Sequence, residues 1–190
     1  MNLQAAKYVF AVCTALMSAG CATKVVDIER ENMLALSFDE FDQTDGSGFR
    51  LLLDQKRYVD AAELIEDYLR RHQHSLTERE RISLHFHAGQ LYGISDDPGK
   101  AVPHFKRARY KTEPTPDGHP LYWNDYVDAT RAFISGDRRR LIEARQRMGE
   151  MNEGFHRLVD SFIENFQEPY ADLIFGQKMK RVPEEEKQER

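Results

Sequence analysis

Apolar positions recur along this 190-residue chain at spacings of three and four, the period of a helix with one buried face. Val25, Val26, Ile28, Met33, Leu34, Leu36, Phe38 and Phe41, separated by Asp27, Glu29, Arg30 and Glu31, predict one amphipathic helix. Asp42 to Gly48 (DQTDGSG) reads as a loop by composition. Phe49, Leu52 and Leu53 predict a short helix, and Tyr58, Ala61, Ile65, Tyr68 and Leu69 a longer one. His72 to Leu76 breaks the period, and Ile82 to Ile94 restores it. Asp96-Asp97-Pro98 is a helix start, an acidic cap followed by proline in the first turn, and Ala101, Phe105 and Ala108 line the face behind it. Pro103 is tolerable in that helix only near its start, because proline lacks the backbone donor.

Pro114, Pro116, Gly118 and Pro120 mark a loop. Trp123, Tyr126, Val127, Thr130, Phe133 and Ile134 predict the next helix, and Gly136-Asp137 a turn and cap. Leu141, Ala144, Arg145 and Met148 follow. A last helix carries Phe155, Leu158, Val159, Phe162, Ile163 and Phe166 and ends before Pro169-Tyr170. The stretch 177–190, with nine charged residues of fourteen, reads as a disordered tail. The expected fold is all-α, two to three stacked antiparallel helical hairpins over residues 49–176, with 21–48 as tether and first amphipathic segment.

Residues 82–115 resemble a tetratricopeptide repeat, a 34-residue pair of antiparallel helices. The family's small pair falls on Ala88-Gly89, its tyrosine on Tyr92, and its second-helix positions on Ala101, Phe105 and Ala108. His85 stands where the family has Trp, and Pro114 comes one place later than the closing proline. Phe49, Leu52, Tyr58, Ala61, Ile65 and Tyr68 match the same frame more weakly. Ala61 and Ala101, however, are not 34 apart, so the linker around His72–Arg79 is longer than the family's. A generic helical bundle is the other reading of this spacing. The resemblance implies groove-facing, partner-binding positions at Phe86, Gln90 and Ile94, with Arg50 and Leu53 in the weaker copy.

The N-terminus has a different character. Lys7 precedes an apolar run from Tyr8 to Met17, too short to span a bilayer, which takes about 20 apolar residues. Ser18-Ala19-Gly20-Cys21 resembles the lipobox of bacterial lipoproteins, with Ser18 where Leu is usual. The resemblance implies that residues 1–20 are a signal peptide and that Cys21 is lipidated, the covalent lipid standing in place of any cofactor. Ala22, rather than Asp, implies the outer membrane facing the periplasm. An ordinary export signal and an uncleaved anchor are the alternatives. Cys13 lies inside the apolar run, so after cleavage Cys21 is the one cysteine left and no internal disulfide forms.

Composition narrows the chemistry. The chain is 41% hydrophobic and 31% charged, with a net charge of −5, so one core is supported and a nucleic-acid partner is disfavoured. Arg138–Arg140 is the one basic run. Of seven histidines, His72/His74 and His85/His87 are two apart, not the i, i+4 pair of a zinc helix, and no metal site is expected. No nucleophile elbow, phosphate loop or C-x-x-C motif is present, and no catalytic residue is assigned. Tyr122, Trp123 and Tyr126 cluster after the Pro/Gly loop, as core or as a binding hot spot. The expected function is a lipid-anchored envelope module that binds or scaffolds a protein partner in envelope assembly, secretion or pilus biogenesis. The alternatives are an envelope enzyme or small-ligand-binding lipoprotein, which a buried cluster of His85, His87 or His104 with carboxylates in a cleft would favour, and a protective lipoprotein that masks a target.

Overall fold

The computed structural model describes residues 28–115, 122–148 and 153–179. Among them every regular element is helical. The signal-like segment and Cys21 lie outside the described residues, as do Val25, Val26 and residues 116–121 and 180–190. No helix among the described residues is long and apolar enough to cross a membrane.

Two compact units divide the chain between Leu51 and Leu52. In the first, residues 28–34 are helical, the chain turns at 35–37, and a π-helical turn spans Asp39–Gln43. The single amphipathic helix expected over 25–41 is therefore two pieces. Ser37 ends the first: its backbone N–H and hydroxyl both donate to the Glu40 carboxylate, giving the chain a local alternative to helix continuation. The π-helical turn also takes the first two residues of the expected 42–48 loop. Gly48 opens helix α1 (Gly48–Asp54) at φ +51, and a Cβ there would fall on the Phe41 backbone carbonyl, so only glycine fits.

The second unit carries α2 (Tyr58–Arg71), α3 (Glu78–Ile94), α4 (Pro98–Arg107), α5 (Trp123–Ile134), α6 (Arg138–Arg147), α7 (Glu153–Glu164) and α8 (Tyr170–Met179). α3 begins four residues before Ile82 because Thr77 and Glu80 form a reciprocal capping box. Asp97 and Asp137 accept from the backbone N–H of Lys100 and Arg140, capping α4 and α6. Pro103 sits in the exposed middle of α4, farther in than the sequence reading allows. α8 was not expected: the chain resumes a helix at Tyr170 and carries it through Met179, into the stretch read as tail.

The turn into α2, α4 and α6 is the same turn each time. Lys56, Asp96 and Gly136 take positive φ (59°, 55° and 70°). Their N–H groups donate to Leu53, Gly93 and Phe133, and the next N–H, of Arg57, Asp97 or Asp137, reaches back to Leu52, Tyr92 or Ala132. This is the paired bonding of a Schellman cap, which satisfies the last carbonyls of one helix and points the chain into the next. Such short connections make α3–α4 and α5–α6 antiparallel hairpins. Each of α3, α4, α5 and α6 packs on the helix before it, and α7 packs on α5 and α6.

α3 is buried on several sides, with Ile82, Leu84, Phe86, Ala88, Leu91 and Tyr92 all inaccessible. It meets α2, α4 and α8, so its apolar residues do not fall on one stripe. Gly89 brings α4 close, since a Cβ there would stand 3.0 Å from the Phe105 ring.

Candidate functional site

α3 carries the two features with chemical potential, a buried polar chain toward α2 and α4 and a cleft at its C-terminal end.

The polar chain runs through three helices. Glu66 of α2 accepts at Oε1 from the Tyr92 hydroxyl (3.1 Å) and from His104 Nε2 (2.9 Å). With Nε2 toward Glu66, His104 turns Nδ1 to His85, whose own Nδ1 stands 3.0 Å away. His104 is 5% exposed, whereas the Glu66 side chain is 38% exposed, so the chain leads from solvent into the core. Burial, followed by the charge of His104 and the cations Arg107 and Arg81, pushes the His85 pKa down to about 4. Burial, with Glu66 second, raises that of Tyr92 well above the usual tyrosine range. The Lys100 ammonium lies 5.0 Å from the Tyr92 ring centre, and Glu63 is 3.6 Å from it. The sequence places His72/His74 and His85/His87 two apart and offers His85, His87 and His104 as candidates for a buried cluster with carboxylates. The pair that meets is nineteen apart and crosses helices. The available signal was that His104 follows Ala101 by three and so shares its buried face. No group of three or more His, Cys, Asp or Glu among the described residues is arranged to hold a metal ion.

The predicted groove residues have separate fates. Phe86 is 5% exposed and faces no open groove. Its ring packs against Phe105, Trp123 and Tyr126 at 5.6, 4.9 and 5.5 Å, because α5 lies against this part of the stack. The Trp123 indole donates to the Ala108 carbonyl, which orients that ring. Gln90 is half-buried and donates to the Tyr170 hydroxyl at 3.4 Å, so α8 covers it. Arg50 belongs to the first unit, where its guanidinium donates to the Asp42 carbonyl and lies over the Phe49 ring. Leu53 is half-buried in the second unit.

Ile94 alone of the five lines an open cleft. The cleft holds about 380 Å³ and is walled by Ile94, Phe133, Ile134, Phe166 and Tyr170, with Asp96, Gln167 and Glu168 at its polar edge. Its geometry follows from the turn. α3 and α5 end side by side, and Gly93 permits this, since a Cβ there would stand 2.6 Å from Ile134 Cδ1 and 3.2 Å from the Tyr170 ring. The 165–169 turn then brings Tyr170 against Phe133 and Phe162 (6.1 and 5.7 Å between ring centres). None of the lining residues belongs to the Glu66–His104–His85 chain. No protein-family model, curated protein or solved structure matches this chain.

Proposed function

We propose that this chain is a lipid-tethered envelope module that holds a protein partner at the open end of a short stack of helical hairpins. The observation that carries the reading is the cleft, open where α3 and α5 terminate and lined by Ile94, Ile134 and Phe166 beside a polar edge. Stacked hairpins present extended surfaces of this kind, and partner peptides seat apolar anchors in such concavities. The sequence of Ala88, Gly89, Tyr92, Ala101, Phe105 and Ala108 relates the α3–α4 hairpin to the tetratricopeptide pattern. The recurring turn extends the likeness to the α5–α6 hairpin. Cys21, in its lipobox-like setting, is the proposed acylation site, and Ala22 favours the outer membrane. Such a module would recruit or scaffold a partner in envelope assembly, secretion or pilus biogenesis.

The alternative of an envelope enzyme draws on the Glu66–His104–His85 chain. A carboxylate that fixes a histidine tautomer is a common catalytic pairing. The separation of this chain from the cleft ranks that reading second.

Crosslinking in intact cells followed by affinity capture tests the proposal, with Cys21→Ala as the anchoring control. A reproducible partner that is lost when Ile94 is replaced by Asp, together with palmitate labelling lost in Cys21→Ala, is the expected result. Capture of nothing above the control, or capture indifferent to Ile94, overturns it.

A further inference from the structure

The cleft has a charge as well as a shape. α3 and α5 end at it while α4 and α8 begin at it, so the opposite partial charges of the helix ends offset and the side chains set its charge. Asp96 and Glu168 stand on its wall, and no described residue forms an ion pair with either carboxylate. An adjoining depression of about 300 Å³ shares Phe166, Gln167 and Glu168 and adds Arg138 and Glu164. Two carboxylates thus stand on the cleft with no cation on its own lining, and Arg138 and Glu164 stand on the depression beside it.

We infer that this cleft seats an apolar side chain of a partner peptide that has Lys or Arg beside it. The inference rests on the interaction-module reading and names the chemistry of its partner. Ile94, Ile134 and Phe166 supply contact area for the apolar side chain, whose burial drives association. Asp96 and Glu168 stand where a neighbouring ammonium or guanidinium is favoured. Anionic partners meet repulsion from the same groups, which excludes phosphate-bearing ligands and acidic peptides. The cleft volume fits one or two side chains, so recognition is by a short motif rather than by a long helix laid along the stack.

The test uses the full chain, labelled with carbon-13 at isoleucine methyls. It is titrated with the blocked peptide Leu-Arg-Phe-Arg and, separately, with Leu-Glu-Phe-Glu. The expected result is a shift of the Ile94 and Ile134 methyl signals with the arginine peptide alone, the core methyls of Ile65 and Ile82 staying in place. The Asp96→Asn, Glu168→Gln double variant is expected to weaken binding at least tenfold. Asn is tolerated at the positive φ of position 96, and Glu168 is exposed, so the fold is retained and a melting curve verifies it. Equal binding of the two peptides, undiminished binding by the double variant, or no shift with either peptide overturns the inference. If any of these occurs while a partner captured from cells is still lost on Ile94→Asp, the cationic motif is wrong and the module reading stands.

Discussion

The Nδ1 atoms of His85 and His104 stand 3.0 Å apart, so at any moment one ring donates and the other accepts. Protonating both would set two N–H donors against each other, with Arg81 and Arg107 adding repulsion.

This geometry fixes a pH dependence. His85 has its folded pKa lowered to about 4, against an ordinary value of 6.5. Above pH 6.5 neither folded nor unfolded chain carries the proton, and the contribution to stability is complete. As pH falls from 6.5 toward 4, the unfolded chain takes up a proton that the folded chain refuses, and stability is lost. The loss reaches about 3 kcal/mol as an upper bound, reduced by the solvent that still reaches the ring. Urea denaturation at pH 7.5 and pH 5 measures it. His85→Gln is expected to flatten the difference, and a variant as pH-sensitive as the parent would assign the effect elsewhere.

Glu66 accepts two of the bonds in the same chain. Glu66→Leu leaves the Tyr92 hydroxyl and His104 Nε2 without their acceptor and is expected to cost about 2–3 kcal/mol. Glu66→Gln keeps an acceptor oxygen and is expected to cost less. Chemical denaturation of the two variants side by side distinguishes lost hydrogen bonding from lost charge.

Gly89 and Phe105 define the closest approach of α3 and α4. Gly89→Ala places a methyl group 3.0 Å from the buried ring and is expected to destabilise by about 1–3 kcal/mol. Gly136→Ala has open space around it and is strained only by its φ of +70°, so about 1 kcal/mol is expected. Equal losses at the two positions would show that backbone strain, not ring contact, sets both.

Tyr170 is the buried residue through which α8 is anchored. It is packed on Phe133 and Phe162 and reached by Gln90. Tyr170→Ala is expected to cost about 3–5 kcal/mol. Deleting residues 150–190 removes α7 and α8 together and is expected to lower the melting temperature of the whole second unit. Cooperative melting of a 1–149 chain at the parent temperature would overturn both expectations.

The sequence made the helices legible wherever one face is buried and a cap marks the end. Asp97 and Asp137 identified the starts of α4 and α6, and the spacing of Tyr58, Ala61, Ile65 and Tyr68 identified α2. It failed at α8, where Ala171, Leu173, Ile174 and Phe175 form no single stripe and a proline precedes the helix. It failed again between residues 35 and 43, where the Ser37–Glu40 bonds compete with the helix. The site was half legible. Ile94 was identified from its place in the repeat frame and does line the cleft. Asp96 and Glu168 were not, because the turn that brings position 168 to the end of α3 is a tertiary fact. His85 and His104 are legible as candidates for one buried cluster with a carboxylate, but which of their atoms meet follows only from the packing of α4 on α3.

The turn that recurs at residues 56, 96 and 136 gives this chain a natural unit of length. Removing or adding one whole unit keeps the same turn between the helices it joins, so each hairpin still enters the stack in the same way. The excess over the tetratricopeptide interval lies in a linker, where residues can be lost without turning a helix, whereas six residues removed within a helix would rotate its core face by about 240° at 3.6 residues per turn. Length variants of this protein should therefore be tolerated in whole units and in linkers, and rejected within a helix.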